Sequence, residues 1–134
     1  MKLAVGLLVT YAALCLVAFL FQRSLLYFPT LAPATRQTPV MSLRDGTLVV
    51  TANRTAPAAL LYFGGNAEDV SSSLHDFSLA FPKYALYLTH YRGYGGSAGR
   101  PTEQDLFADA LELHDRIRTH HSEIIGSGRR RVPQ

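Results

Sequence analysis

A short glycine-rich segment carries the clearest potential for chemistry. Residues 64–66 read Gly-Gly-Asn and are followed by Ala67 and Glu68, where an apolar run gives way to a helical pattern. Glycines let the backbone approach a ligand closely, and N–H groups at the start of a helix can hold an anion. Enzymes that transfer acyl groups use such N–H groups to stabilise a tetrahedral oxyanion. The pattern predicts an oxyanion-type loop, and a plain tight turn capped by Asn66 is the alternative.

A second glycine-rich segment, residues 91–101, places Ser97 between Gly95 and Gly99. This spacing satisfies the G-x-S-x-G pattern of a serine nucleophile, which requires a sharp turn from strand to helix. Ser97 lies well past the preceding strand and before Pro101, however, and every later His or Asp is on the following helix or at its end. A catalytic triad needs partners that converge from elsewhere. We therefore predict that Ser97 serves the turn, with residual esterase activity through Ser97 as a third hypothesis.

The same segment also fits a dinucleotide-binding fingerprint, which we do not expect to be functional. That fingerprint needs a helix to open within the glycine turn and an acidic residue at the end of the next strand. Here Pro101 intervenes, and the acidic residue at the appropriate distance, Asp115, lies in the middle of a helix. The histidines and the single Cys15 lack the spacing of zinc ligands. We expect no cofactor and no metal.

These segments are joined by alternating strand and helix patterns with short glycine turns. Such alternation predicts a parallel, three-layer α/β sheet. The predicted strands cover residues 47–51, 58–63 and 84–89, and the helical patterns cover 67–81 and 101–121. A further strand begins at residues 123–125 and stops at Gly126. We therefore expect an incomplete sheet of three or four strands with two covering helices.

The second helix has a clear capping signal and two faces. Thr102 followed three residues later by Asp105 resembles a capping box. A stripe of Leu and other apolar residues predicts the buried face. The residues predicted to face solvent are Asp105, Asp109, Glu112 and Arg116.

The amino-terminal segment is apolar over a long stretch. Residues 3–21 carry no charge, and a bilayer core of ~30 Å needs about 20 apolar residues in a helix. A cleaved signal peptide would have a shorter apolar region and a small-x-small site; the nearest Ala-x-Ala, at 32–34, contains a proline. We predict an uncleaved single-pass anchor that places the protein in a membrane, with Tyr27 and Phe28 at the interface. Its orientation stays open.

The net charge argues against a nucleic-acid partner. Lys and Arg total 13 against 10 for Asp and Glu, and three of the basic residues are the arginines at 129–131. Without those three, the balance is 10 against 10, so no basic surface belongs to the body of the chain.

Several motifs occur in a fixed order along the chain. They are Gln-Arg-Ser-Leu-Leu-Tyr-Phe-Pro-Thr at 22–30, Gly-Gly-Asn-Ala at 64–67, the glycine-rich segment up to Glu103, and a helix with Asp109. Together they resemble membrane-anchored α/β-hydrolases of the serine aminopeptidase and lysophospholipase-like group, over roughly residues 2–125. The resemblance implies serine-type hydrolysis of ester, thioester or amide bonds. It also implies that Gly65 and Asn66 form the oxyanion loop, with the Asn66 N–H as donor, although Gly64 stands where the family often has His.

The chain departs from this family after residue 125. In the family the strand that begins there leads into the true nucleophile elbow, with the acid and the histidine downstream. Here Gly-Ser-Gly at 126–128 and an arginine run follow. We therefore expect a truncated or frameshifted hydrolase that is inactive, with an acyl substrate only in a full-length parent. The expected domains are an anchor (1–28), a linker (29–45), the first half of the hydrolase domain (46–125) and an atypical basic tail (126–134).

An alternative hypothesis comes from a different functional class. An incomplete sheet leaves an open edge that invites pairing with another chain. The protein would then be a small membrane-anchored interaction module without catalysis.

Overall fold

The computed structural model describes residues 2–31 and 38–128, which form a mixed α/β arrangement. The helices are α1 (Lys2–Leu26), α2 (Val70–Ala80) and α3 (Glu103–Ile117). The strands are β1 (Val40–Ser42), β2 (Leu48–Ala52), β3 (Ala58–Phe63), β4 (Tyr84–Thr89) and β5 (Glu123–Gly128). The predicted strands at 58–63 and 84–89 are confirmed as β3 and β4.

The five strands form one sheet in the order β1-β2-β4-β3-β5. β3 pairs in parallel with β4 and β5, whereas β2 pairs antiparallel with β4 and β1. The sheet is therefore mixed, and the prediction of a parallel sheet is wrong for β2, which runs opposite to the other four strands. The reason is the length of the connections, because a parallel return needs a crossover of about a dozen residues. Residues 43–47 and 53–57 are too short for one.

Strands also occur in the segments that the sequence predicts to be a linker and a tail. β1 lies inside the predicted linker 29–45, and β5 continues through residues 126–128, where the predicted tail begins. In β5, Gly126 pairs with Leu61 and Gly128 with Phe63. Glycine is depleted in strands. The hydrogen bonds between neighbouring strands use only backbone groups, however, so a Gly-Ser-Gly segment can pair at the edge of the sheet. Residues 32–37 and 129–134, which include the Ala-Pro-Ala segment and the arginine run, lie outside the described residues.

Helices cover both faces of the sheet. Leu113 and Ile117 of α3 pack on one face with alternate residues of β3 such as Leu61. Val70 of α2 packs on the other face with residues such as Leu60. β3 is thus buried on both sides, which explains its continuous apolar sequence.

Helix α3 begins as predicted but buries one unexpected residue. The Thr102 side chain accepts a hydrogen bond from the Asp105 N–H, as a capping residue should. Asp109, predicted to face solvent, is only 3% exposed. The hydrophobic periodicity of α3 does not predict this burial, because the partners of Asp109 come from other parts of the chain. Phe107 and Leu111, in contrast, remain exposed.

Helix α1 is long and apolar enough to cross a membrane. The stretch Lys2–Gln22 has a mean hydropathy of 2.5, and none of it is buried against the rest of the described chain. The same length and composition also fit a signal sequence.

Candidate functional site

The Gly-Gly-Asn loop leaves the carboxyl end of β3 as a tight turn. The Gly65 N–H donates to Glu68 Oε2 at 2.7 Å, and the Glu68 N–H donates to the Gly65 carbonyl at 3.2 Å. The turn requires a positive φ of 62° at Ala67. The Tyr91 hydroxyl donates to the Gly64 carbonyl at 2.8 Å and fixes the loop from the opposite side. Backbone and side chains thus hold this loop in one conformation.

Glu68 is the central side chain of this loop, and the predicted oxyanion loop assigns it no role. Its carboxylate accepts hydrogen bonds from the Tyr62 hydroxyl at 3.0 and 3.1 Å, from the Ser73 hydroxyl at 3.1 Å and from the Gly65 N–H. Hydrogen bonds to a charged acceptor are among the stronger ones. An anion that bound at the Gly65 N–H would have to displace this carboxylate. The available signal was a glutamate three residues after Gly65, which can reach back to a backbone N–H as in a capping box.

Asn66 connects three parts of the molecule. Its Oδ1 accepts hydrogen bonds from the Phe28 N–H at 3.1 Å and from the Tyr94 hydroxyl at 2.8 Å. Phe28 lies just past the end of α1, so the side chain fastens that segment to the loop. The alternative role of Asn66 as a helix cap is not observed, because Asp69 accepts from the Ser71 N–H at the start of α2.

Ser97 lies in the glycine-rich segment between β4 and α3. Its hydroxyl accepts a hydrogen bond from the Leu48 N–H at 2.9 Å, and the residue is buried. Within residues 2–31 and 38–128, no histidine or carboxylate is hydrogen-bonded to this hydroxyl. The serine therefore joins the segment to β2, and the geometry around it is not that of an activated nucleophile.

His90 and Gly95 form a close contact beneath the glycine-rich segment. His90 is 2% exposed, and its Nε2 lies 2.9 Å from the Ser71 hydroxyl on α2. Gly95 has a φ of 53°, and a Cβ placed on it would lie 2.1 Å from His90 Nδ1. Only a glycine fits between the segment and the imidazole.

Arg92 and Asp109 form the main buried charge pair. The guanidinium donates to both oxygens of Asp109, at 2.7 and 3.0 Å, and it also contacts Asp105 at 3.0 Å and Asp45 at 2.9 Å. The hydrogen bond with Asp109 raises the pKa of Arg92 above its ordinary value. Thr47 donates to Asp109 at 2.8 Å. This cluster joins the turn before β2, the glycine-rich segment and α3.

Two tyrosines, Tyr91 and Tyr94, flank the loop on the side of α3. Burial raises the pKa of Tyr91 above its ordinary value, and the carboxylate of Glu68 adds to the effect. Burial likewise raises the pKa of Tyr94. Their rings are perpendicular, with centroids 5.9 Å apart. Both hydroxyls therefore stay neutral hydrogen-bond donors at neutral pH.

Two cavities adjoin the loop. The first, of about 250 Å³, is called the loop cavity and is lined by Tyr27, residues 64–66, Tyr91, Tyr94 and Leu106. The second, of about 330 Å³, is called the apolar cavity and is lined by Phe63, Tyr91, Glu103, Leu106, Phe107 and Ala110. Tyr91 and Leu106 line both cavities, so the two lie side by side.

The sequence comparisons give relatives without an assigned activity. No family model matches the chain. Two uncharacterized proteins from two strains of Mycobacterium tuberculosis are each 34% identical to it, over 66% of this chain and 37% of the relative. The chain thus spans 37% of the length of the curated relatives that it matches.

The structural comparison identifies the fold. The Pyrococcus furiosus esterase Pf2001 matches with a TM-score of 0.50 and 14% sequence identity, over 76% of this chain and 47% of the esterase chain. The described residues therefore have a hydrolase-like α/β fold. Fold does not by itself determine activity.

Proposed function

We propose that this chain is the amino-terminal part of a membrane-anchored α/β-hydrolase, that it supplies the oxyanion loop, and that it does not hydrolyse esters by itself. The observation that carries the proposal is the pairing of a well-fixed Gly-Gly-Asn loop with a Ser97 hydroxyl committed to the Leu48 N–H. The fixed loop supports an oxyanion-binding role for residues 64–66, and Ser97 has no general base within hydrogen-bonding distance in the described chain.

The proposed donor is the backbone N–H of Asn66. The side chain of Asn66, next to this N–H, is fixed by hydrogen bonds from the Phe28 N–H and the Tyr94 hydroxyl. A donor contributes most to oxyanion stabilisation when its orientation is set before the reaction. The hydrogen bonds of the Asn66 side chain provide that orientation.

The proposed membrane anchor is α1. Its apolar stretch is long enough to span a bilayer, and the Phe28 N–H attaches the segment that follows it to Asn66. A second tie is the hydrogen bond from the Gly95 N–H to the Thr30 carbonyl at 3.0 Å. Both contacts support a site that lies beside the end of the membrane helix.

Labelling with a fluorophosphonate reporter tests the absence of catalysis. We expect the full chain in detergent micelles to give no adduct on Ser97, because a serine without a general base is a weak nucleophile. Hydrolysis of p-nitrophenyl butyrate should equal that of empty micelles. Mass spectrometry locates any adduct, and Ser122→Ala, which changes an exposed serine, is the matched control for Ser97→Ala. An adduct on Ser97, or turnover that Ser97→Ala alone removes, would refute the proposal.

A second candidate function is an interaction module that pairs through β5. This strand is an edge of the sheet, Ile125 on it is 37% exposed, and Leu111 on α3 is 65% exposed. Open edges with exposed apolar residues favour association with another chain. This function predicts a defined dimer by analytical ultracentrifugation that Ile125→Lys dissociates. Val40→Lys, on the opposite edge strand, should leave the dimer intact; a monomer at all concentrations excludes self-association through β5.

A further inference from the structure

We propose that a cavity near the amino-terminal ends of β3 and β5 binds a small organic anion from solution, with an oxyanion head group and a compact apolar body. This cavity, called the basic cavity, has a volume of about 400 Å³. Its lining residues are Met41, Arg54, Thr55, Tyr87, Arg116, Ile117 and His120. The site is separate from the Gly-Gly-Asn loop, and its ligand does not depend on the proposed function.

The basic cavity lies toward the opposite end of the sheet from the Gly-Gly-Asn loop. Arg54 is in the turn before β3, and His120 precedes β5. These two strands run parallel, and the six residues of β3 span about 20 Å. Phe28, just past the end of α1, is attached to the Gly-Gly-Asn loop. Since the basic cavity is at the other end of the strands, we expect its ligand to arrive from solution and not from a bilayer.

The charges around the basic cavity favour an anion. Among the described residues that line it there is no carboxylate, whereas two guanidinium groups and one imidazole are present. Arg54 is exposed and has no hydrogen-bond or ion-pair partner within residues 2–31 and 38–128. A guanidinium group presents its N–H donors in a planar fork that matches a carboxylate or a phosphate. The side chain of Arg54 is therefore available to bind such a head group.

Arg116 is held in position beside the same cavity. Its Nη1 donates to the Ser42 carbonyl at 2.8 Å, and its Nη2 donates to Glu112 at 2.7 Å. Its side chain is 38% exposed and keeps further N–H donors for a ligand. Because Glu112 balances the charge of Arg116, the uncompensated positive charge comes from Arg54. A guanidinium that is already fixed loses little conformational freedom on binding, which favours affinity.

Apolar side chains form much of the remaining lining and determine the body of the ligand. Ile117 and Tyr87 are 3% and 2% exposed, and Met41 packs against the same core cluster. The Tyr87 hydroxyl is hydrogen-bonded to His121 at 2.8 Å, so Tyr87 contributes mainly its ring. An inorganic ion would leave this apolar lining in contact with water, whereas an apolar body would cover it. A volume of about 400 Å³ is near the small end of the range for ligand sites, so the body is compact.

Fluorine NMR with the full chain in dodecyl maltoside micelles tests the proposal. The probe is para-trifluoromethylbenzoate, which combines a carboxylate with a compact apolar ring. We expect the protein to broaden its resonance beyond the effect of empty micelles. Arg54→Gln should weaken the affinity about tenfold, a loss typical of a hydrogen bond to a charged group. Arg100→Gln removes the same charge from an exposed position at the other end of the sheet, so it is the matched control and should bind the probe normally.

Three further measurements separate the parts of the proposal. The neutral para-trifluoromethylbenzamide should bind about tenfold more weakly than the acid, because it lacks the charge. Thr55→Phe fills the cavity from an exposed position, so it should lower the affinity while circular dichroism shows an unchanged fold. Acetate, which has the head group without the ring, should not displace the probe at equal concentration.

Each of these measurements can overturn the proposal. Equal affinities of Arg54→Gln and Arg100→Gln, or an unchanged affinity of Thr55→Phe, would show that the probe does not bind in the basic cavity. Equal binding of the acid and the amide would overturn the anionic head group, and displacement by acetate would overturn the apolar body. Displacement by phosphatidylglycerol added to the micelles would overturn the soluble source, and a resonance no broader than with empty micelles would overturn the site altogether.

Discussion

Replacing Arg92 by methionine is expected to lower the free energy of unfolding by about 3 kcal/mol, because it leaves the Asp109 carboxylate buried without its partner. The side chain of Asp109 is 5% exposed and that of Arg92 is 14% exposed, so solvent screens this pair little. Thr47 still donates to Asp109 and limits the loss. Urea-induced unfolding of the full chain in micelles, followed by circular dichroism, measures the change.

The matched control for Arg92 is Arg118→Met. Arg118 pairs with Asp115 at 3.1 Å, but both side chains are more than 60% exposed, and exposed pairs contribute about 0–1 kcal/mol. A double variant, Arg92→Met with Asp109→Leu, should recover part of the loss, since an apolar pair can replace a buried ion pair. If Arg92→Met and Arg118→Met lower the free energy of unfolding equally, the Arg92 cluster does not stabilise the fold.

Gly95→Ala is the second change with a large expected effect, a loss of about 2–5 kcal/mol. The φ of 53° costs a side-chain-bearing residue about 1–2 kcal/mol. The overlap of the new Cβ with His90 adds an overpacking cost of about 1–3 kcal/mol. Thermal unfolding of the full chain in micelles measures the sum.

Gly126→Ala is the control for this substitution, because a Cβ there meets nothing within 4 Å. It should change stability by no more than about 1 kcal/mol. Combining Gly95→Ala with His90→Ala removes the overlap, so the double variant should lose less than the sum of the single losses. Additive losses would show that the imidazole does not cause the strain.

The parts of the fold that local chemistry determines were predictable. β3 and β4 are buried on both faces, so their sequences are continuous apolar runs with clear ends. The Thr102 cap depends on residues three positions apart, and it is confirmed. β1 was missed because three residues give no periodicity, and the end of β5 was missed because its pairing uses backbone groups alone.

The parts that depend on distant residues were not predictable. Asp109 has the spacing of a solvent-facing residue, and its burial follows from Arg92 and Thr47. The role of Glu68 likewise depends on Tyr62 and Ser73. The assignment of Gly65 and Asn66 to an oxyanion loop stays a prediction, and so do the domain boundaries.

If α1 is the proposed membrane anchor, the attachment of residues 28 and 30 to the two loops sets how the concentration of a bilayer-dissolved ligand must be expressed. The Phe28 N–H contacts Asn66 and the Thr30 carbonyl contacts Gly95, so little free chain separates α1 from the loops. With α1 as the proposed membrane anchor, a site held in this way would sample a two-dimensional pool of any ligand dissolved in the bilayer. Occupancy would then follow the mole fraction of ligand among the lipids, and diluting the vesicles in buffer would leave it unchanged.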